Sequence, residues 1–290
     1  MIAKAARSPA DAICLDLEDS VAPDQKEVSR AKVTEALLTL DFGPRARILR
    51  INALDTPYAY RDVIEVVEAA GSRLDLIMLP KAGGPRDVQF LDTLLAQIEA
   101  RLALRPIGVE AQIETASGFL WVREIAQSAA RLEALIFGPG DYAASMRMPL
   151  ANIGEADEHD ARYPGHRWHA AMHAIVAAAR ASGLRCMDGP SADFKDLAGF
   201  ERACQVALAL GFDGKQCIHP AQLEAANRLF APAPAELAWA EAVAEAYTQA
   251  IAEGRGAISV GGKMIDAANL RMAQTILDRQ RQIDARAERG

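Results

Sequence analysis

The chain has 290 residues, of which 51% are hydrophobic and 24% are charged, and its formal net charge is −7. These values are typical of a globular protein and exclude a disordered, collagen-like or coiled-coil chain. The acidic balance offers no basic surface for nucleic acid, and no apolar run approaches the roughly 18 residues of a membrane helix. The N-terminal segment lacks the apolar core of a signal peptide, and the four cysteines are far apart. We therefore expect a cytoplasmic enzyme with reduced thiols that binds neither nucleic acid nor membranes.

Short apolar runs typical of buried strands alternate along the chain with longer segments of helical period. In chain order, strands are predicted at 12–17, 47–51, 74–79, 107–113, 132–137, 184–187 and 215–218. Helices are predicted between them at 26–40, 59–70, 86–104, 118–129, 167–181 and 197–210. Strands that alternate with helices of ten or more residues indicate βα units and a parallel sheet.

Seven predicted strands leave two architectures open, because a closed (β/α)8 barrel needs eight strands. A doubly wound open sheet would gather its functional groups near one switch point. Polar side chains instead follow nearly every predicted strand, namely Asp16, Glu18, Asp19, Arg50, Asn52, Lys81, Glu114, Asp141, Asp188 and His219. A barrel active site is assembled from many strand ends, so this distribution favours an α/β fold of the TIM-barrel type.

The C-terminal part of the chain differs in composition from the rest. An Ala-Pro-Ala-Pro joint at 231–234 is followed by a predicted helix at 235–253, a glycine-rich turn at 254–262 and a last helix that ends near residue 286. We therefore predict a barrel domain at 1–230 and a C-terminal helical hairpin at 231–290.

Two carboxylates follow predicted buried strands, and both should face the mouth of a barrel. Glu114 follows the strand at 107–113, and Asp141 follows the strand at 132–137 after a Gly-Pro-Gly turn. A pair of carboxylates suits Mg²⁺, which binds one or two protein oxygens and keeps positions for water and substrate. The alternative is that each acid caps the helix that follows it. Neither paired cysteines nor an HExxH motif indicates zinc.

Arg50 lies at a strand end beside Asn52. A guanidinium group binds a carboxylate with two parallel hydrogen bonds, so Arg50 is a candidate for substrate binding. A salt bridge from Arg50 to Asp16 or Asp19 is equally compatible with the sequence.

Asp16, Glu18 and Asp19 form an acidic cluster at the end of the first predicted strand. Three acids in a dry site need cations to remain charged, and we interpret the cluster mainly as a supporting ion network. Its candidate partners are Lys81, Arg50 and Lys215.

Other polar groups give weaker signals. Gly138, Pro139 and Gly140 permit close backbone approach to an anionic oxygen. We interpret His166, His169 and His173 as a solvated helix face, and His219 as a structural hydrogen-bonding residue. By its sequence context alone, Asp266 is an acid at the start of a helix.

Several motifs together resemble a known family. They are LDLEDSVAP at 15–23, RIN at 50–52, LPK at 79–81, IETA at 113–116, FGPGDYAAS at 137–145, DGP at 188–190, GFDGKQCIHPAQ at 211–222 and GKMID at 262–266. In this order they resemble the citrate lyase β-subunit-like proteins of the HpcH/HpaI aldolase superfamily. The pattern is most like that of the malyl-CoA, β-methylmalyl-CoA and citramalyl-CoA lyases. Tyr163-Pro164-Gly165 and Trp168 also resemble the malyl-CoA lyase branch.

The resemblance implies roles for particular residues. Glu114 and Asp141 match the Mg²⁺ carboxylates, and Arg50 matches the arginine that orients the substrate. The Gly138–Asp141 segment matches the turn that lies against the 2-oxo acid. Asp266 matches an acid/base residue that reaches a neighbouring subunit's site, which implies a homo-oligomer, a trimer or hexamer.

The implied activity is reversible Claisen-type cleavage of a 3-hydroxyacyl-CoA to glyoxylate or pyruvate and acetyl- or propionyl-CoA. Alternatives that the sequence leaves open are a malyl-CoA thioesterase, a CoA-independent 2-keto acid aldolase, a citrate lyase β subunit and a non-catalytic acyl-CoA-binding subunit. Members of the family normally begin with a strand that ends in a Phe-Val-Pro-Gly-like turn. We expect that this first barrel strand is missing from the chain.

Overall fold

The computed structural model describes residues 1–150, 152–154, 157–160, 162 and 167–288. The Tyr163-Pro164-Gly165 motif and His166 lie outside the described residues. The chain divides into two compact units, residues 1–226 and residues 227–290. None of the described helices is long and apolar enough to cross a lipid bilayer.

The first unit is built on a seven-stranded sheet whose strands follow one another in chain order, each parallel to the next. The strands are β1 (Ala12–Asp16), β2 (Ala46–Arg50), β3 (Leu76–Leu79), β4 (Gly108–Ile113), β5 (Leu132–Phe137), β6 (Arg185–Asp188) and β7 (Gly214–Lys215). All seven predicted strands are therefore present. The last is shorter than predicted because Gln222 Oε1 accepts hydrogen bonds from the backbone N–H groups of Ile218 and His219 and turns the chain there.

Side chains of non-neighbouring strands meet on one face of this sheet. Ile48 of β2, Met78 of β3 and Ile136 of β5 form one buried cluster, and Ala12 of β1 and Met187 of β6 pack against it. A flat sheet would hold strands β1 and β6 far apart, so the sheet is strongly curled. The structure thus shows an α/β fold with a curled parallel sheet of seven strands.

The opposite face of the sheet is apolar and is covered by helices. Leu49, Ile77 and Ile113 alternate along their strands with the residues of the inner face, and all three are fully buried. The helices of this unit are α1 (Ile2–Ala5), α2 (Lys26–Thr39), α3 (Ala59–Ala70), α4 (Pro85–Leu102), α5 (Ala116–Leu120), α6 (Val122–Ala126), α7 (Pro139–Ser145), α8 (His169–Ala181), α9 (Leu197–Leu210) and α10 (Leu223–Phe230), the last of which runs into the second unit.

Two local predictions for helices and turns of the first unit differ from the structure. The predicted helix at 118–129 is two short helices, α5 and α6, because Trp121 between them leaves the helical region with ψ of 15°. The Gly-Pro-Gly segment at 138–140 was predicted as a turn, but only Gly138 lies outside a helix, because helix α7 starts at Pro139. Proline at the first helical position is favourable, since its fixed φ suits the helix and its missing N–H has no partner there.

The second unit contains α11 (Pro234–Ala252), a two-stranded antiparallel hairpin of β8 (Ile258–Val260) and β9 (Lys263–Ile265), and α12 (Ala267–Ala287). Its core joins Val243 and Tyr247 of α11, Ile265 of β9 and Ala273 of α12. The predicted glycine-rich turn at 254–262 thus includes the first strand of a hairpin, with Gly261 and Gly262 in the left-handed region at its tip.

Candidate active site

The carboxyl ends of the parallel strands place several polar side chains at one edge of the sheet. Glu18 follows β1, Lys81 follows β3, Glu114 follows β4 and Gly138 follows β5. Arg50 is the last residue of β2 and lies in register with Asp16 of β1. The candidate residues from five different strand ends therefore share one edge.

Glu114 is buried and is held by a neighbouring strand end. It is 2% exposed, and its Oε1 accepts a hydrogen bond of 2.8 Å from the backbone N–H of Lys81. Burial and the negative charge of Asp141 raise the pKa of Glu114 to about 8. The next helix is capped by Thr115, whose side chain accepts from the N–H of Gly118. The alternative in which Glu114 caps that helix is therefore wrong.

Asp141 lies in the first turn of α7 rather than in a loop. Its Oδ2 is 3.7 Å from the Nζ atom of Lys81. The neighbouring Tyr142 fixes the helix, because its ring packs edge-on against Phe137 at a centroid distance of 5.6 Å and lies 6.4 Å from the ring of Trp168. The aromatic cluster thus holds the Asp141 carboxylate beside the strand ends.

Two glycines allow close packing around the start of α7. A β-carbon at Gly138 would lie 2.3 Å from Glu114 Oε2, and one at Gly189 would lie 2.3 Å from the carbonyl oxygen of Phe137. Both contacts are far too short for a side chain, so only glycine permits this arrangement. The close approach that the sequence predicted at Gly138 is made to Glu114.

Arg50 is engaged by two carboxylates. It donates two hydrogen bonds of 2.7 and 2.6 Å to the two oxygens of Asp16, and its Nη1 lies 2.9 Å from Glu18 Oε2 in an ion pair without hydrogen-bond alignment. Burial alone would raise the pKa of Asp16, but the hydrogen bonds and charge of Arg50 together lower it. A guanidinium group has five N–H donors, so Arg50 keeps donors for a further carboxylate.

Lys81 links this network to both candidate metal ligands. Its Nζ is 2.5 Å from Glu18 Oε1 and 3.3 Å from Asp19 Oδ2. The same Nζ contacts Asp141, and the backbone N–H of Lys81 donates to Glu114. Burial lowers the pKa of Lys81, but the hydrogen bond to Glu18 and the surrounding acids outweigh it and raise the pKa. The acidic cluster and Lys81 are thus in contact, as the sequence led us to expect for an ion network.

The buried ion pair between the ends of β6 and β7 was not predicted from the sequence. Lys215 Nζ lies 2.5 Å from Asp188 Oδ2 and 2.6 Å from the carbonyl oxygen of Gly189. The interpretation of Lys215 as a candidate partner of the Asp16 cluster is therefore wrong. Because Gly189 packs against Phe137 and Pro139, this pair supports the start of α7. This ion pair could have been predicted from the sequence, because Asp188 directly follows one predicted strand and Lys215 begins the next.

The remaining candidates have structural contacts. His169 and His173 stack on α8 with centroids 5.4 Å apart, and His219 accepts a hydrogen bond from the N–H of Ala221 and stacks on Phe194. Asp266, in the second unit, caps α12 by accepting from the N–H groups of Ala268 and Asn269.

The chemistry of the donors fits a hard divalent cation at Glu114 and Asp141. Two nearby carboxylates, one of them buried with a raised pKa, are stabilised when a cation lies between them. No three histidine, cysteine or acidic side chains within the described residues are arranged to hold a metal. Two protein carboxylates completed by water and substrate match the preference of Mg²⁺ for oxygen ligands in an incomplete protein shell.

Known proteins resemble the chain over nearly its whole length. An L-malyl-CoA/β-methylmalyl-CoA lyase from Cereibacter sphaeroides is 43% identical over 289 residues, covering 97% of this chain and 91% of that protein. A malyl-CoA/β-methylmalyl-CoA/citramalyl-CoA lyase from Chloroflexus aurantiacus is 36% identical, covering 94% of this chain and 81% of that protein.

A solved structure shares the fold at lower identity. Protein CitE from Mycobacterium tuberculosis, in complex with magnesium, acetoacetate and coenzyme A, superposes with a TM-score of 0.73 at 29% identity, covering 95% of this chain and 91% of that chain. Residues 1–220 match the HpcH/HpaI aldolase/citrate lyase family. The chain belongs to the HpcH/HpaI aldolase/citrate lyase family.

Proposed function

We propose that this protein is a Mg²⁺-dependent CoA-ester lyase that cleaves malyl-CoA, β-methylmalyl-CoA or citramalyl-CoA. The observation that carries the proposal is that Lys81 contacts both Glu114 and Asp141 at the sheet edge where Arg50 lies. The two lyases at 43% and 36% identity support the reaction, and the CitE complex supports magnesium and CoA as ligands.

Glu114 and Asp141 would hold the Mg²⁺ ion, and substrate oxygens and water would complete its coordination. When bound, the ion supplies a Lewis acid and a template for the 2-oxo acid end of the substrate. The backbone of Gly138, Pro139 and Gly140 would lie against the same fragment, since Gly138 already packs on the Glu114 carboxylate.

Arg50 would bind the substrate carboxylate with the donors that Asp16 and Glu18 leave available. Asp16 fixes the plane of the guanidinium group, because it accepts two hydrogen bonds from it. Glu18 adds an ion pair to the third nitrogen, Nη1. The fixed plane orients the carboxylate before the carbon–carbon bond breaks.

Loss of the 3-hydroxyl proton and cleavage of the carbon–carbon bond release glyoxylate or pyruvate and leave the enolate of acetyl-CoA or propionyl-CoA, which then takes up one proton, so that no net proton is gained or lost. We propose Asp266 as the acid/base residue for that step. In this proposal, residues 231–290 are a C-terminal segment that contributes Asp266 to a neighbouring subunit, so the active enzyme is a homotrimer or hexamer.

We also propose an architecture, a domain boundary and a cellular location. The curled sheet would be that of a (β/α)8-type barrel, which the strictly sequential strand order supports. Residues 1–230 would form the catalytic barrel domain. A cytoplasmic location is consistent with four free cysteines, two of which are buried.

A coupled assay with malyl-CoA and citramalyl-CoA, each with and without Mg²⁺, tests the function. The proposal expects Mg²⁺-dependent release of glyoxylate or pyruvate together with acetyl-CoA. Free malate without glyoxylate would identify a thioesterase instead, and cleavage of a free hydroxy-keto acid would identify a CoA-independent aldolase. Binding of Mg²⁺ and acetyl-CoA without turnover would identify a non-catalytic subunit.

Mixing two inactive variants tests the shared site. Asp266→Ala and Asp141→Ala chains each lack one essential group, so a mixed oligomer contains some sites with both groups intact. The proposal expects partial recovery of activity on mixing, whereas no recovery would place Asp266 outside the neighbouring subunit's site.

A further inference from the structure

Lys81 makes two different contacts with the proposed metal carboxylates. Its backbone N–H donates to Glu114 Oε1 at 2.8 Å, while its side-chain ammonium lies 3.7 Å from Asp141 Oδ2. The backbone of Lys81 is in the left-handed region with φ of 49°, which a residue with a β-carbon rarely adopts. In this backbone conformation the N–H donates to one carboxylate and the side chain lies beside the other.

The same ammonium has stronger partners on its other side. Glu18 Oε1 is 2.5 Å from Nζ and Asp19 Oδ2 is 3.3 Å from it, so Asp141 is the most distant of its three acidic partners. Glu18 is 4% exposed, and its other oxygen lies 2.9 Å from Arg50 Nη1. The ammonium is therefore placed between an arginine-bound carboxylate and a proposed metal ligand.

A divalent cation at Glu114 and Asp141 would share the Asp141 carboxylate with this ammonium. Two cations near one carboxylate repel each other, and the repulsion is strong where protein atoms replace water. The ammonium can give up the longer contact to Asp141 and keep the shorter one to Glu18, which itself contacts Arg50.

We propose that Lys81 is a positioning residue whose ammonium group competes with the divalent cation for Asp141. Cation binding transfers the ammonium fully to Glu18, and Lys81 thereby weakens metal binding while it holds the Glu18–Arg50 pair in place. This inference rests on the proposed metal site at Glu114 and Asp141, and it concerns the affinity of that site rather than the reaction.

Titration of the intact protein with Mn²⁺ or Mg²⁺ alone, followed by calorimetry or by Mn²⁺ electron paramagnetic resonance, tests the competition. Lys81→Met removes the charge and keeps most of the side-chain volume, so it should bind the cation about tenfold more tightly than the wild-type protein. Lys81→Arg retains the charge and should remain near the wild-type affinity. Lys32→Met removes an exposed lysine on α2 and controls for the change in net charge.

A second substitution and a second readout keep the test informative. Lys81→Gly also removes the ammonium, and glycine favours the left-handed backbone, so this variant should fold even if Lys81→Met does not. Saturating Mg²⁺ should raise the melting temperature of either neutral variant more than that of the wild-type protein, because the variant's acids have lost their resident cation.

The outcomes separate this inference from the proposed function. If the wild-type protein binds neither cation, the proposed metal site is wrong. If the wild-type protein binds and the neutral variants bind equally or more weakly, the competition is wrong and the metal site stands. Tighter binding by Lys81→Met and Lys81→Gly, with Lys81→Arg and Lys32→Met unchanged, supports the inference.

Discussion

Gly138 packs directly against the side chain of Glu114, so that a β-carbon at position 138 would lie 2.3 Å from Glu114 Oε2 and 2.5 Å from Glu114 Cβ. The two residues follow neighbouring strands, β5 and β4, which are in register up to Ile113 and Phe137. The orientation of the Glu114 carboxylate therefore depends on the absence of a side chain on the next strand.

Gly138→Ala should displace Glu114 and weaken binding of Mg²⁺ or Mn²⁺. Ligand misplacement of this kind costs metal sites about 10- to 100-fold in affinity, and calorimetric titration measures it. Gly84→Ala is the matched control, because a β-carbon there meets nothing within 4 Å. An unchanged affinity for Gly138→Ala would show that Glu114 does not bind the cation.

Asp141→Ala should abolish Mg²⁺-dependent cleavage, with a loss of more than about a hundredfold in kcat/KM, because the cation loses one of its two protein ligands. The carboxylate is partly exposed at the start of α7, so the fold and the melting temperature should change little. Glu35→Ala, at an exposed position of α2, serves as the control. Undiminished turnover in Asp141→Ala would refute the assignment of this residue.

Lys215→Met should destabilise the protein strongly, because it leaves the carboxylate of Asp188 buried without its cation. The side chains of Lys215 and Asp188 are 3% and 7% exposed, and breaking such a buried pair costs about 3 kcal/mol or more of the free energy of unfolding. Urea denaturation measures this loss.

The double variant Lys215→Met, Asp188→Leu provides the control. It removes both charges, so it should regain most of the lost stability. If the double variant is no more stable than Lys215→Met, the damage comes from packing rather than from an unpaired charge.

Glu110 should make stability depend on pH. It lies on the inner face of β4 in register with Met78, and burial raises its pKa from 4.5 to about 7, with Arg185 opposing and Glu133 adding to the shift. The folded protein therefore holds this proton more tightly than the unfolded chain does. The contribution of protonated Glu110 to the free energy of unfolding is fully present below about pH 4.5. This contribution is lost as the pH rises through about 7.

Glu110→Gln removes the cost of ionising this buried side chain. Relative to the wild-type protein, the variant should gain up to about 3 kcal/mol in the free energy of unfolding at pH 8 and little at pH 4.5. Urea denaturation at both values measures the difference. An equal effect at the two pH values would show that the shift is absent.

The sequence predicted the strands and most of the helices because apolar runs and helical periods are local signals. It also predicted that Glu114, Asp141, Arg50 and the acidic cluster lie at strand ends, where polar residues of a parallel sheet converge on one edge. It did not predict the left-handed backbone of Lys81, whose contacts depend on three other strand ends.

Other predictions from the sequence differ from the structure because they, too, depend on tertiary contacts. The partner of Lys215 is decided by the alignment of β6 and β7, which pairs Asp188 with Lys215, and the sequence alone offered three acids as alternatives. The break at Trp121 lies between segments that both have helical periodicity. Short-range patterns therefore predict which elements form, and the register between strands decides which charges meet.

A crystal structure of the protein grown with magnesium and oxaloacetate would show directly whether Glu114 and Asp141 hold the metal ion. We predict one Mg²⁺ ion at about 2.0–2.1 Å from a carboxylate oxygen of Glu114 and from one of Asp141. Oxaloacetate oxygens should complete its coordination, and Arg50 should bind a carboxylate of oxaloacetate. An ion bound elsewhere, or Glu114 and Asp141 turned away from each other with no metal between them, would contradict this prediction.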